Sequence, residues 1–295
     1  MNNFCSLLFI QNTSQSPTFA AYIVSLNSDQ TNQPRFSPNP NSSFYREVEA
    51  VLANFQPITL EEMDHVMLFD RFDQKFILPE TFLPTLLKNL SDEYFALEVK
   101  STRIHTYHTR YFDTPSFEHY LAHHNLRKSR FKFRHRIYVE SDLHFFEIKE
   151  KNKKDRTVKS RVMVKNKIAL PGEQALLLVA AATTADGKLL EPKLWSNFHR
   201  LTLVHKTRQE RMTIDINLIL ENDHEMHSYE GAVVLELKQE KQNYSAPIVR
   251  LLVANGCRPG AMSKYTTGVA QLYPENKSNL FKPTQRLLTK YKNSK

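Results

Sequence analysis

Charged and apolar residues alternate with a period of two through much of this chain. Residues 71–78 set Arg71, Asp73, Lys75 and Ile77 on one side and Phe72, Gln74, Phe76 and Leu78 on the other. In RFKFRHRIYV, Lys132, Arg134 and Arg136 share a face opposite Phe131, Phe133, His135, Ile137 and Val139. The pattern recurs: Glu147, Lys149 and Lys151 oppose Phe146 and Ile148, and Lys159 with Arg161 opposes Val158, Ser160 and Val162. Further on, Arg211, Thr213, Asp215 and Asn217 oppose Met212, Ile214, Ile216 and Leu218, and Glu236 with Lys238 opposes Leu235 and Leu237. Strand side chains point alternately to the two faces of a sheet, so these six runs predict an antiparallel sheet with one charged and one apolar face.

Helices are expected at 44–54 and after Thr59, whose spacing to Glu62 is that of a capping box. Others are expected at 79–90, with proline in the first turn, and at 173–183, 191–200 and 262–273, where they can cover the apolar face. The fold class is α+β. Residues 27–43 are polar and proline-bearing, with nothing to bury, so 1–43 reads as a flexible lead-in. A folded domain over 44–273 and a basic tail over 274–295 complete the division.

Composition narrows the function. The 295 residues suffice for a sizeable core without disulfides, and the two cysteines form neither a disulfide framework nor a zinc spacing. No apolar run reaches the roughly 18–20 residues of a membrane span, and Phe4 to Ile10 is a poor signal peptide. A reducing, cytoplasmic setting is therefore expected. The six glycines form no phosphate-loop or dinucleotide fingerprint. Net charge is +9, and residues 126–167 alone hold 15 Lys or Arg against 5 Asp or Glu, so the whole excess sits in one stretch and points to a local anionic partner.

A strand with charges on one face usually turns that face to water. Here Lys or Arg recurs on the matching faces of several strands, and like charges side by side in a sheet repel. If the faces curl inward they line a cationic channel that needs a polyanion. Phosphate fits, since Arg forks bind its oxygens in pairs and Lys supplies point charge. Glu147, Asp215 and Glu236 on the same faces would weaken phosphate binding unless they hold a divalent metal, which carboxylates and substrate phosphates commonly share. The expectation is a metal and triphosphate site inside a barrel. His119 and His123 lie one turn apart in FEHYLAHHN, but without a zincin glutamate they read as a polar helix face. The lysines at 149–154 interleave with glutamates and no RNP-like motif is present, which argues against nucleic acid. Phe131, Phe133, Phe145 and Phe146 read as core.

The ordered motifs RFDQK (71–75), YFDT (111–114), RFKFRHRIY (130–138), FFEIKEK (145–151), VKSR (158–161), ERMTID (210–215), LELK (235–238) and SKY (263–265) resemble the VTC domain, the polyphosphate polymerase branch of the triphosphate tunnel metalloenzymes, over about 55–273. The resemblance implies a closed antiparallel β-barrel with helices packed outside, its basic interior holding ATP and inorganic polyphosphate. It also implies transfer of the γ-phosphoryl group to the chain end with Mn²⁺ or Mg²⁺. Position by position, Lys75 is the first-strand lysine, Arg134 and Arg136 the paired arginines, and Lys149, Lys159 and Arg161 the continuing phosphate cradle together with Lys132. Arg211 and Lys264 lie in later motifs, Lys206 matches more loosely, and Glu236 is the metal-ligand glutamate, with Glu147 and Asp215 as further carboxylates. Arg71 replaces the first carboxylate of Glu-x-Glu-x-Lys found in hydrolase members, which removes a candidate water-activating base and favours a polymerase. A non-catalytic polyanion-binding module and a metal-dependent triphosphatase are the alternatives, and a partner protein could supply a membrane anchor.

Overall fold

The computed structural model describes residues 33–64, 72–154, 156–164, 170–241 and 243–292. Chain order begins with α1 (Ser43–Leu52), β1 (Gln56–Ile58), α2 (Leu60–Asp64), β2 (Phe72–Pro79), α3 (Leu83–Lys88), β3 (Tyr94–Leu97), β4 (His105–Asp113) and α4 (Glu118–His124). It continues with β5 (Arg130–Tyr138), β6 (Leu143–Lys151), β7 (Thr157–Met163), α5 (Glu173–Ala182), β8 (Glu191–His205), β9 (Glu210–Glu221), β10 (Met226–Ser228) and β11 (Ala232–Gln239), then α6 (Pro247–Ala254), α7 (Lys264–Leu272) and α8 (Lys282–Lys292). The expected capping box forms at α2: Thr59 N donates to Glu62 Oε2 at 2.9 Å and Glu62 N to Thr59 Oγ1 at 3.2 Å.

All these strands join one sheet, with the main order β2-β11-β9-β8-β4-β5-β6-β7 and antiparallel pairing along it; β1 pairs parallel to β3. The closed barrel expected from sequence is not what forms. β2 and β7 end the order and no ladder joins them, so the sheet is open. Alternation alone cannot separate the two cases, because a charged face converges on a common space in a curled open sheet as it does in a closed one.

The curl is nonetheless strong. Strands five and six places apart in a flat sheet lie about 24 and 29 Å from each other, yet Glu236 on β11 and Lys75 on β2 act on the ammonium of Lys149 on β6. The convex side is apolar. Phe76 and Leu78 of β2, Met212, Ile214 and Ile216 of β9, and Leu235 and Leu237 of β11 pack under α1, α3 and α6. A second patch, Phe133, Phe146 and Ile148, packs under Ala175 and Val179 of α5.

Two further expectations need correction. Residues 191–200, read as a helix, are the first two-thirds of β8, the longest strand. Most of β8 is buried, its Leu201 and Leu203 packing on the convex side and its Leu194 and Phe198 on the concave side, so no polar period marks it as a strand. The helices are also not all outside the sheet. α7 enters the concavity, where Tyr265, Val269 and Leu272 pack on Ile77, Tyr107, Tyr111, Leu194, Phe198 and Val234. Gly268 permits this approach, since a Cβ there would lie 2.9 Å from Leu194 Cδ2. Alternation along β9 also slips at Asn217, where a positive φ of 54° and a register shift against β8 bring Leu218 to the concave core.

Of the expected lead-in, residues 1–32 lie outside the described residues. The part that follows lies on β8 and β9: Asn197 Nδ2 donates to Phe36 O at 3.0 Å and Arg35 pairs with Glu221 at 3.7 Å. Residues of the expected tail form α8, which buries Leu288 and brings the Tyr291 carbonyl against Gly231, whose φ of 92° and missing side chain suit the contact. No described helix is long and apolar enough to cross a membrane.

Candidate polyanion site on the concave face

With α7 filling one end of the concavity, the other end is left to charge. Register places the residues: Lys75 opposes Glu236, which opposes Thr213; Asp73 opposes Lys238, which opposes Arg211; Arg134 opposes Glu147, and Glu147 opposes Arg161. Directly opposed residues in antiparallel strands share a face, so each motif delivers its charges to the same side.

The carboxylates anchor three cation groups. Glu147, 1% exposed, accepts from Arg134 Nε at 2.6 Å, lies 2.5 Å from Lys159 Nζ and has Arg136 Nη1 at 3.9 Å. Burial alone would raise its carboxyl, but these three cations hold it well below the usual carboxylate range. Asp215, 4% exposed, takes a two-pronged pair from Arg200 at 2.6 and 2.8 Å and a further bond from Lys264. Burial works against this charge too, yet Arg200 and Lys264 bring it down to about 2. Glu236 pairs with Lys75 and, at 3.2 Å, with Lys238, and remains 19% exposed.

Between these groups the cations are in excess. Lys132 Nζ donates to Ser263 Oγ at 2.7 Å, and burial, reinforced by Lys149, Lys75 and Arg134, pushes its ammonium well below the usual lysine range. Lys149 is lowered by burial and by Lys75. Ammonium groups from β2, β5 and β6 thus crowd one space with too little negative charge to balance them.

Two sequence-predicted residues stand apart from this cluster. Arg161 is exposed, its guanidinium 4.9 Å from the Phe145 ring, and Lys206 follows β8 with its ammonium 5.5 Å from the Phe95 ring. Arg71 lies outside the described residues. The histidines of α4 are turned inward: His119 packs 4.8 Å from the Phe133 ring and His123 Nε2 lies 3.1 Å from Phe131 O, so this face is an interface with β5. Phe145, read as core, lies on the charged face. Sequence reasoning missed Arg200, because β8 was assigned to helix, although the alternation of Arg200, Thr202 and Val204 against Leu201, Leu203 and His205 carries the signal. It also left Lys238 and Ser263 without roles.

Among the described residues no group of three or more His, Cys, Asp or Glu is arranged to hold a metal ion. Glu147 and Asp215 are buried and saturated by cations. Glu236 is the most accessible of the three although Lys75 and Lys238 both pair with it, so it is the carboxylate that would join substrate phosphates in holding a divalent ion.

The sheet thus curls around a cluster of cations on its concave face, with α7 packed at one end. The chain belongs to the VTC domain family, whose model matches residues 70–273. No curated protein matches it. Among solved structures it is similar to a putative adenylyl cyclase from Hippeastrum described as having a dominant triphosphatase activity, with TM-score 0.44, 14% identity, and coverage of 68% of this chain and 95% of that one. It is also similar to putative adenylate cyclases from Bacillus halodurans (TM-score 0.44, 10% identity, 66% and 94% covered) and Vibrio parahaemolyticus (TM-score 0.39, 13% identity, 67% and 97% covered).

The cation excess has a pH signature. Burial outweighs the pull of Asp215 and lowers the Lys264 ammonium to about 8, against about 10.4 in an unfolded chain. Between these values the unfolded state binds more protons, so stability of the free protein rises from pH 8 to 10. If the concave face takes tripolyphosphate, its affinity should fall over the same interval as the amine loses its charge. Thermal melts with and without tripolyphosphate should therefore converge as pH rises, and Lys264→Met should flatten that convergence.

Proposed function

We propose that the chain is a metal-dependent phosphotransferase that moves the γ-phosphoryl group of ATP to the end of an inorganic polyphosphate chain on the concave face. The observation that carries this reading is the crowding of Lys75, Lys132 and Lys149, from three strands, into one space with a deficit of carboxylates. Such a charge set is costly to maintain empty and is relieved by a polyanion. Membership of the VTC domain family supports the coarser reading of triphosphate chemistry.

In this reading the Arg134 and Arg136 forks grip phosphate oxygens in pairs, while Lys75, Lys132, Lys149, Lys159 and Lys264 neutralise charge along the chain. The attacking group is a terminal phosphate oxygen, ionised before it reacts, so no residue has to remove a proton. It bonds to the γ-phosphorus, the bond from that phosphorus to the β–γ bridging oxygen breaks, and ADP leaves with that oxygen. Positioning and charge neutralisation carry such a transfer. Glu236 would hold a Mn²⁺ or Mg²⁺ ion, which supplies additional neutralisation between phosphates when bound.

Incubation with ATP and Mn²⁺ or Mg²⁺, with separate detection of polymer and of free phosphate, tests the proposal. Long-chain polymer is the expected product, and Glu236→Ala should abolish it while leaving the circular dichroism spectrum unchanged. Free phosphate without polymer would replace the reading by a triphosphatase. Tight, salt-sensitive polyphosphate binding without ATP consumption would replace it by a binding module.

A further inference from the structure

Two motifs are not accounted for by a phosphate clamp: YFDT, at the end of β4, and the serine and tyrosine that flank Lys264 in SKY. They meet in space. Asp113 is fully buried, and neutral groups hold its carboxylate. Oδ1 accepts from Thr114 N at 2.7 Å and His119 N at 3.0 Å, while Oδ2 accepts from Tyr120 N at 2.8 Å and from the hydroxyl of Tyr265. The Tyr265 ring lies 5.2 Å from that of Tyr111. Burial and the adjacent carboxylate push the Tyr265 phenol well above its usual value, so it keeps its proton and donates.

The residues just before Tyr265 face the charge cluster. Ser263 Oγ accepts from Lys132 at 2.7 Å and from Thr266 N at 3.4 Å, capping α7, and Lys264 reaches Asp215. The body of α7 is held separately by Val269 and Leu272 in the core. Apolar burial fixes that the helix docks but is non-directional. The hydrogen bond from Tyr265 to a carboxylate already locked onto the backbone of α4 is directional, and it fixes how the first turn is rotated. A displacement of about 1 Å at a reacting centre can cost on the order of 100-fold in rate, so this rotation matters for a lysine that must meet a phosphate oxygen.

We propose that Asp113 and Tyr265 are positioning residues that set the first turn of α7, and so present Ser263 and Lys264 to the bound phosphate chain. The inference rests on the reading of the concave face as a triphosphate site. It assigns YFDT a task away from the ligand: β4 and α4 form a fixed abutment for α7.

The test is a double-mutant cycle between Tyr265→Phe and Lys264→Met, read as the dissociation constant of tripolyphosphate by calorimetry on the full chain, with melting temperatures alongside. Tyr265→Phe is expected to weaken binding about tenfold, and to weaken it clearly less in the Lys264→Met background, because the two changes share the Lys264 contact and only the part carried through Ser263 remains. A purely structural role predicts a lower melting temperature with unchanged affinity, or losses that add in the double variant, and either result overturns the proposal. If Tyr265→Phe does not fold, Asp113→Asn enters the same cycle with the same criterion. Calorimetry needs no turnover, so a wild-type protein that binds tripolyphosphate but makes no polymer refutes the polymerase reading and leaves this test intact.

Discussion

Arg200→Met is expected to destabilise the protein by about 3 kcal/mol, the lower end of the cost of breaking a buried ion pair. The guanidinium holds both oxygens of Asp215, at 2.6 and 2.8 Å, and lies over the rings of Tyr107 and Phe198 at 4.9 and 5.2 Å. Methionine keeps much of the apolar contact, so the loss is chiefly that of a buried carboxylate left with Lys264 alone. A loss of that size lowers the melting temperature of a domain of this class by about 6–12 °C. Adding Asp215→Asn should recover part of it, since the amide removes the stranded charge and still accepts from Lys264. Urea denaturation of the single and double variants checks this. If the double variant is the less stable, the cost comes from lost packing over Tyr107 rather than from the stranded charge.

The same residue shows where the sequence stops being legible. β2, β5, β6, β7, β9 and β11 could be read because each has one apolar and one charged face. Faces of that kind also brought together Lys75, Lys132, Arg134, Glu147, Lys149, Lys159 and Glu236. β8 lies between the convex core and the plug formed by α7, so burial on both faces left a polar period only in its last third, around Arg200 and Thr202, too short to mark the whole strand. Closure of the sheet is a property of its two edges, which the interior alternation does not encode. The carboxylates were legible as to face but not as to state. Register and the docking of α7 put Glu147 among three cations and Asp215 between two, while Glu236, paired with Lys75 and Lys238, stays the most accessible of the three carboxylates. Positions such as Asp113 and Tyr265 join segments more than a hundred residues apart through one hydrogen bond, and no local period announces such a pair.

Lys132→Met should move stability and binding in opposite directions. In the free protein this ammonium is half-buried on β5, repelled by Lys75, Arg134 and Lys149, and its hydrogen-bonding partner is the neutral Ser263 hydroxyl. Methionine keeps the length of the stem, removes the repelled charge and gives up one hydrogen bond, a net gain of about 0.5–1 kcal/mol, within the range of stabilising changes found at functional sites. Tripolyphosphate affinity should fall about 10–100-fold, the scale of a charged hydrogen bond of roughly 1.5–3 kcal/mol. The comparison is a pair of melts and titrations against wild type at pH 7. A higher melting temperature with weaker binding identifies Lys132 as a charge held in place for an absent anion. A lower melting temperature with unchanged affinity would make it a structural tether for Ser263, and the anion seat would then have to lie elsewhere on the concave face.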